Sequence, residues 1–194
     1  MNKPIRNMTC TLVIAALCLL GPAVTGASAS AKRTTVGLTV PEVTLVRADG
    51  KSVLLPQELN DGRPVVLSFI FTTCTSICPL LTGTLAQLQD KLGADRDRVH
   101  IVSISIDPEE DTPAKLEAYA KKYHAGPAWN HYTGTVEAII KTATAFGTYR
   151  GNKMAHTPVI FVRKAPGEQW VRFDGFATAK ELLQEIPGKA VASK

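Results

Sequence analysis

The sequence is poor in the residues that would mark several classes of protein. Only four cysteines occur in 194 residues, too few for a small fold held together by disulfides. The formal charge of +5 is weak, and acidic residues are spread throughout, which excludes the strongly basic surface of a nucleic-acid-binding protein. No internal repeat occurs. Hydrophobic residues make up 45%, enough to build the core of one domain.

The first 31 residues have the features of a secretory signal peptide. Lys3 and Arg6 supply its positive start, and residues 8–20 form an uncharged apolar run. This run is short for a membrane span, which needs about 20 apolar residues, although an uncleaved anchor is an alternative. Small residues at 27–31 offer two cleavage sites. We therefore predict export to the periplasm, with the mature chain either free or held at the membrane by its N-terminus.

Cleavage would remove Cys10 and Cys18 and leave Cys74 and Cys78. Lipidation of Cys18 is disfavoured because the bulky Leu17 precedes it. The remaining two thiols would lie in a compartment that permits disulfides. A close pair of this kind indicates a functional site.

The rest of the chain alternates between strand-like and helix-like segments. A flexible lead-in is expected at 32–40, a single domain at 41–188 and a tail at 189–194. The domain opens with a β-hairpin that turns at Asp49-Gly50. Continuous apolar runs predict buried strands, whereas leucines at helical spacing and the cap Thr112-Pro113 predict helices. The predicted strands are 43–47, 53–55, 64–71, 99–106, 129–132, 158–163 and 170–173, and the predicted helices are 80–92, 112–123, 135–146 and 178–185.

This alternation predicts an α/β fold with a central mixed sheet flanked by helices. Cys74 and Cys78 follow a buried strand and precede a helix. They therefore fall at the carboxyl end of a central strand, where ligands and chemistry collect in open α/β sheets. Pro79 suits the first position of a helix, which would make Cys78 the residue that caps it. The helix dipole should then lower the pKa of Cys78.

Two thiols at this spacing can form a disulfide, exchange one with a partner, or bind a soft metal ion. A purely structural disulfide would close too short a loop to constrain the unfolded chain much. A metal site needs further ligands, and His156 is the best placed, because it directly precedes the strand predicted at 158–163. His100 is expected to be a satisfied strand residue, and His124 and His131 to lie at the surface.

Two thiolates and one imidazole suit Cu(I), which favours sulfur ligands in low coordination. Zinc is the competitor, but a structural zinc site needs four protein ligands. No convincing fourth ligand is present, and we expect Met154 to be a packing residue.

Three segments together resemble the Sco/SenC proteins. They are residues 72–79 (TTCTSICP), 105–113 (SIDPEEDTP) and 155–157 (AHT). The likeness extends over about residues 40–185, nearly the whole predicted mature chain. It implies a thioredoxin-like fold, an extracytoplasmic location and copper bound by Cys74, Cys78 and His156. It also implies delivery of copper to the dinuclear copper centre of cytochrome c oxidase, or reduction of that centre's cysteines.

The resemblance further places Asp107 close to the copper site, in addition to a local role in binding amides of the turn that Pro108 begins. Pro158 departs from the family's usual sequence after the histidine. It is expected either to face the thiols through a cis Thr157–Pro158 bond, as in thioredoxin-like redox proteins, or simply to open a strand.

These observations predict a monomeric copper metallochaperone that passes Cu(I) to an oxidase subunit or another copper protein, with Cu(II) binding left open. The alternative is a thiol-disulfide oxidoreductase, in which one of Cys74 and Cys78 attacks a partner disulfide and the other resolves it. Peroxide reduction is disfavoured because the proline expected upstream of Thr73 is missing. With three methionines, the chain is not a Met-rich copper store.

Overall fold

A computed structural model describes residues 30–188. The strands in this range are β1 Lys32–Val36, β2 Thr44–Arg47, β3 Ser52–Leu54, β4 Val65–Ile70, β5 His100–Ser105, β6 Trp129–Gly134, β7 Val159–Arg163 and β8 Trp170–Asp174. The helices are α1 Leu55–Leu59, α2 Ile77–Leu92, α3 Pro113–Lys122, α4 Val136–Ala145 and α5 Ala179–Gln184, with short 3₁₀ helices at Gly93–Arg98 and Lys153–Ala155.

All of these strands belong to one sheet in the order β1-β8-β7-β4-β5-β6-β2-β3. The centre is parallel, because β4 pairs with β5 and β5 with β6 in the same direction. Antiparallel strands flank this centre, β7 against β4 on one side and β2 against β6 on the other. The structure thus confirms the predicted α/β fold with a mixed sheet, and the hairpin of β2 and β3.

Strand β4 is buried on both faces because helices cover both sides of the sheet. Val66 packs in a cluster with residues of α2 and α5. Val65, Leu67 and Phe69 point the other way, into a cluster with residues of α1 and α4. This alternation follows from the two-residue period of a strand, and it explains why β4 is apolar throughout. The thiol loop, residues 71–76, therefore begins in the middle of the core.

The helix start predicted at Thr112-Pro113 is confirmed. The Thr112 hydroxyl accepts a hydrogen bond from the Lys115 amide, with Pro113 at the first helical position. Thr178 forms a reciprocal capping box with Glu181 at the start of α5. Such side chains satisfy amide groups that have no partner within the helix.

The prediction of a flexible lead-in at 32–40 is wrong for residues 32–36. They form β1, which pairs antiparallel with β8 along its whole length. An edge strand of this kind is held by backbone hydrogen bonds and needs few apolar side chains, so KRTTV gave little signal. Helix α1 buries Leu55 and Leu59 but was not predicted, because a single turn is too short to show a helical period.

Two predicted segments lie largely or wholly beyond the residues that the structure describes. Residues 1–29 of the predicted signal peptide and the tail at 189–194 are outside it. Between residues 30 and 188, no helix has the length and apolar character needed to cross a membrane.

Candidate metal centre

The loop after β4 carries Cys74 and leads directly into α2. The Cys74 amide donates to the Phe71 carbonyl at 3.1 Å, which closes a tight turn after the strand. Helix α2 begins at Ile77, with Ser76 as its cap. Cys78 therefore lies in the first turn of the helix, which corrects the prediction that it caps a helix beginning at Pro79.

The two thiols lie together and are free rather than joined in a disulfide. The Cys78 amide donates a hydrogen bond to Cys74 Sγ, with 3.4 Å between nitrogen and sulfur. Cys74 is half-buried, whereas Cys78 is fully buried in a cluster that includes Leu116 and Tyr119 of α3. One sulfur thus faces the surface and the other faces the core.

This difference in burial separates the pKa values of the two thiols. Burial raises the pKa of Cys78 strongly, and the hydrogen bond with Cys74 adds to the shift. Burial also opposes ionisation of Cys74, but hydrogen bonds from Cys78 and Ser76 outweigh it, so the pKa of Cys74 is lowered. The prediction that Cys78 has the lowered pKa is wrong, because the desolvation of a buried thiol exceeds the effect of the helix amides.

His156 is buried and held against β4, the strand that leads into the thiol loop. Its Nε2 lies 3.1 Å from the carbonyl oxygen of Phe69. Burial lowers the pKa of His156, the bond to Phe69 raises it, and the nearby Arg150 lowers it further, so that the net shift is downward and the ring is neutral at pH 7. A carbonyl only accepts, so the proton of the neutral ring is on Nε2 and the lone pair on Nδ1.

The donor atoms suit a soft metal ion, although they do not form a closed site. Ligating histidines commonly donate their other N–H to a backbone carbonyl, as His156 does to Phe69. Two thiols and one such imidazole are a donor set for Cu(I). Within residues 30–188, however, no three His, Cys, Asp or Glu side chains are arranged as a metal site. The structure brings Cys74 and Cys78 together and leaves His156 as a separate group, in the loop before β7, with its ring bonded to β4.

Asp107 pairs with a lysine rather than with the amides of its own turn. Its carboxylate accepts a hydrogen bond from Lys153 Nζ at 2.5 Å, and its backbone carbonyl, not its side chain, accepts from the amides of Glu110 and Asp111. Lys153 also lies over the ring of Phe71, 5.8 Å from its centroid. Asp107 thus connects the loop of His156 to the turn that follows β5.

Asp111 organises the thiol loop, and sequence reasoning assigned it no role. Its buried carboxylate accepts hydrogen bonds from the amide and hydroxyl of Thr72, at 3.0 and 2.5 Å, and from the hydroxyl of Ser105 at 2.6 Å. The only signal in the sequence was its place within SIDPEEDTP. These contacts fix the start of the thiol loop to the end of β5.

Pro158 precedes β7, and its carbonyl accepts a hydrogen bond from the Gly175 amide at 2.9 Å. All peptide bonds between residues 30 and 188 are trans, so the predicted cis Thr157–Pro158 bond is wrong. The simpler expectation, a proline that opens a strand, agrees with the structure.

The other histidines take no part in the thiol site. His100 is buried at the start of β5, where its Nε2 lies 3.1 Å from Asn130 Oδ1. His124 is exposed, as expected. His131 is not a surface residue but is buried in β6 and stacked on Trp129.

The chain belongs to the SCO1/SenC family, since residues 32–190 match the profile of that family. It is 33% identical to the SCO1 protein homolog of Bacillus subtilis over 140 residues, which are 72% of this chain and 68% of that relative. The fold is thioredoxin-like, as in the solved structures of Sco proteins.

Two of those structures bear on the site. Arabidopsis thaliana ScoI, solved with copper bound, is 29% identical with a TM-score of 0.61, covering 74% of this chain and 92% of that one. BsSco is 27% identical with a TM-score of 0.65, covering 80% of this chain and 98% of that one. It is described as a Sco-family cytochrome c oxidase assembly protein in which a disulfide switch was identified.

Proposed function

We propose that this protein is an exported copper metallochaperone. It binds Cu(I) through the thiolates of Cys74 and Cys78 and the imidazole of His156. It delivers the ion to the copper-acceptor subunit of cytochrome c oxidase or to another copper protein. The observation that carries the proposal is the pair of free thiols at the end of β4, with His156 anchored to the same strand, in a chain of the SCO1/SenC family.

The two thiols divide the work of capturing copper. Cys74 is the more accessible and the more readily ionised, so it makes the first contact. Cys78 loses its proton as it binds, because a metal ion stabilises a thiolate that burial alone disfavours. Each thiol releases one proton, and the neutral His156 releases none. Closing the site then requires the loop of His156 and the thiol loop to approach each other.

The protein would act outside the cytoplasm, because residues 1–31 have the features of a signal peptide. As a monomer it would leave Cys74 free to meet an acceptor. The metal is cargo, and three ligands on two separate segments of the chain can be displaced one at a time by those of an acceptor. Oxidation of the thiols to a disulfide would remove both sulfur ligands and release the ion.

Anaerobic titration of the reduced protein with Cu(I), against a competing chromogenic chelator, tests the ligand set. We expect one tightly bound ion. His156→Gln should weaken its binding by at least about tenfold, because even changes outside the ligands of metal sites cost 10- to 100-fold. The glutamine amide nitrogen can take the position of Nε2 and donate to the Phe69 carbonyl, so the change removes the ligand atom Nδ1 and keeps the anchoring contact.

His124→Asn is the matched control. His124 is exposed and has a positive φ of 54°, a conformation that asparagine tolerates well. The copper affinity of the His124→Asn variant should equal that of the unaltered protein. Equal affinities for the His156→Gln variant and the control would remove His156 from the site, and absence of tight binding would refute the chaperone function.

Thiol-disulfide exchange is the second candidate, and the unequal thiols favour it. The Cys74 thiolate would attack a partner disulfide, and one partner sulfur would leave as a thiolate. Cys78, once deprotonated, would attack Cys74 Sγ and release the second partner sulfur. The products are a Cys74–Cys78 disulfide and a reduced partner, so two electrons pass to the partner. Catalytic turnover with a defined disulfide substrate would favour this candidate, since a chaperone needs none.

A further inference from the structure

A groove of about 470 Å³ opens beside His156. His156 lines it together with Asp107 and Lys153, and α4 supplies much of the opposite wall. The bonded nitrogen of His156 faces Phe69 in the core. A molecule that takes copper from this histidine must therefore approach through the groove.

The groove exposes apolar side chains that the core does not need. On α4, Ile139 and Ala143 are buried, whereas Val136 and Ile140 are 47% and 37% exposed. Tyr149, after the same helix, is 46% exposed, and all of these residues line the groove. Contiguous apolar surface beside a functional residue is typical of an interaction site.

The charged side chains around the groove differ in whether they are paired. Arg150 donates hydrogen bonds to the carbonyls of Gly147 and Tyr149, and the salt bridges found within residues 30–188 do not include it. Lys153, by contrast, is neutralised by Asp107. Glu109 supplies an exposed negative charge that lines the same groove. The available positive charge therefore belongs to Arg150.

We propose that this groove docks a segment of the copper-accepting protein that carries an apolar side chain and, next to it, an acidic side chain. The apolar side chain packs against Ile140 and Tyr149, and the acidic side chain meets Arg150. The segment's own copper ligands are thereby placed at His156. This inference rests on the proposed copper transfer and adds the chemistry of the partner.

The transfer step is a ligand exchange without oxidation or reduction. Each bond from Cu(I) to Cys74, Cys78 or His156 breaks as a bond to an acceptor ligand forms, and copper remains Cu(I). Where the acceptor ligands are thiols, their protons pass to the two cysteines that they displace.

Two synthetic peptides test the proposal. Each contains a Cys-x-x-x-Cys copper site, a neighbouring leucine and a fluorophore that bound copper quenches, and they differ in having Glu or Lys beside the leucine. Stopped-flow mixing with the copper-loaded protein gives a transfer rate for each peptide. The readout is the ratio of the Glu-peptide rate to the Lys-peptide rate, so a change in copper affinity that affects both peptides alike cancels.

We expect a ratio above one for the unaltered protein and a fall of about fivefold in Arg150→Glu, as for reversal of an exposed charge pair. Arg96→Glu is the matched control, since Arg96 is exposed in the 3₁₀ helix after α2, and it should leave the ratio unchanged. Ile140→Ser should slow both peptides severalfold and leave the ratio intact.

An unchanged ratio in Arg150→Glu, with copper still bound tightly, overturns the docking proposal and leaves the chaperone function standing. Sedimentation of the same variants tests whether the groove instead binds a second copy of this chain. Loss of self-association in Arg150→Glu, with an unchanged ratio, would show that the groove binds a second copy of this chain. Failure of the unaltered protein to bind copper would instead refute the function on which the proposal rests.

Discussion

Cys74 and Cys78 differ in environment although only three residues separate them. The Cys74 sulfur accepts a hydrogen bond from the Cys78 amide and remains partly exposed. The Cys78 side chain is enclosed by Leu116 and Tyr119. The same backbone turn therefore stabilises one thiolate and buries the other. Packing and this hydrogen bond together make Cys74 the thiol that attacks or captures metal first, and Cys78 the slower second thiol.

The first prediction is that limiting iodoacetamide labels Cys74 at least about tenfold faster than Cys78 in the reduced, metal-free protein, because the reactive species is an accessible thiolate. The rate at Cys74 should rise with pH and reach half its maximum below 9.0, the ordinary value from which the Cys74 pKa is lowered. Peptide-resolved mass spectrometry measures both rates. In urea the two rates should converge, and faster labelling of Cys78 in the native protein would contradict the assignment.

At the scale of elements, the long segments were predictable and the contacts between them were not. Strand β4 and helix α2 follow from local apolar patterns. So does the placement of Cys74 between them. The salt bridge between Asp107 and Lys153 joins residues far apart in the sequence, and no local pattern encodes it. The burial of Cys78 depends likewise on α3 packing over the loop, which is why its pKa was predicted in the wrong direction.

Asp111→Asn tests the connection between the thiol loop and β5. The amide can keep one acceptor oxygen, but its NH₂ group would face donors on Thr72 or Ser105. We expect the free energy of unfolding to fall by about 2 kcal/mol, as when a buried donor loses its partner. Urea denaturation measures the loss, and copper affinity should fall with it because the loop is no longer fixed.

Asp90→Asn is the control for this change, since Asp90 is exposed on α2, and it should alter stability by less than about 0.5 kcal/mol. Equal stabilities of the two variants would show that the hydrogen bonds of Asp111 do not anchor the loop.

At the scale of the whole molecule, the first and last described elements, β1 and α5, are joined at one edge of the sheet. Strand β1 lies at the edge of the sheet beside β8. Arg33 of β1 makes two hydrogen bonds to the carboxylate of Glu185, at 2.6 and 3.0 Å, and Glu185 directly follows α5. The strand was not predictable because its partner lies more than a hundred residues away. Its stability is thus a property of the folded chain rather than of KRTTV.

Glu185→Gln tests how much the ion pair between Arg33 and Glu185 contributes to stability, and how that contribution depends on pH. The hydrogen bonds from Arg33 lower the pKa of Glu185 from its ordinary 4.5, against the opposing effect of burial. A carboxyl whose pKa is lowered in the folded state adds stability above 4.5 and loses it as pH falls through the folded-state pKa. The variant should therefore be less stable by about 1 kcal/mol at pH 7, and the difference should vanish in acid, where Glu185 is protonated. Urea denaturation across this range measures both. Glu168→Gln, at an exposed position between β7 and β8, should show no such difference, and a deficit in Glu185→Gln that persists unchanged in acid would mean that packing, not the ion pair, holds β1 in place.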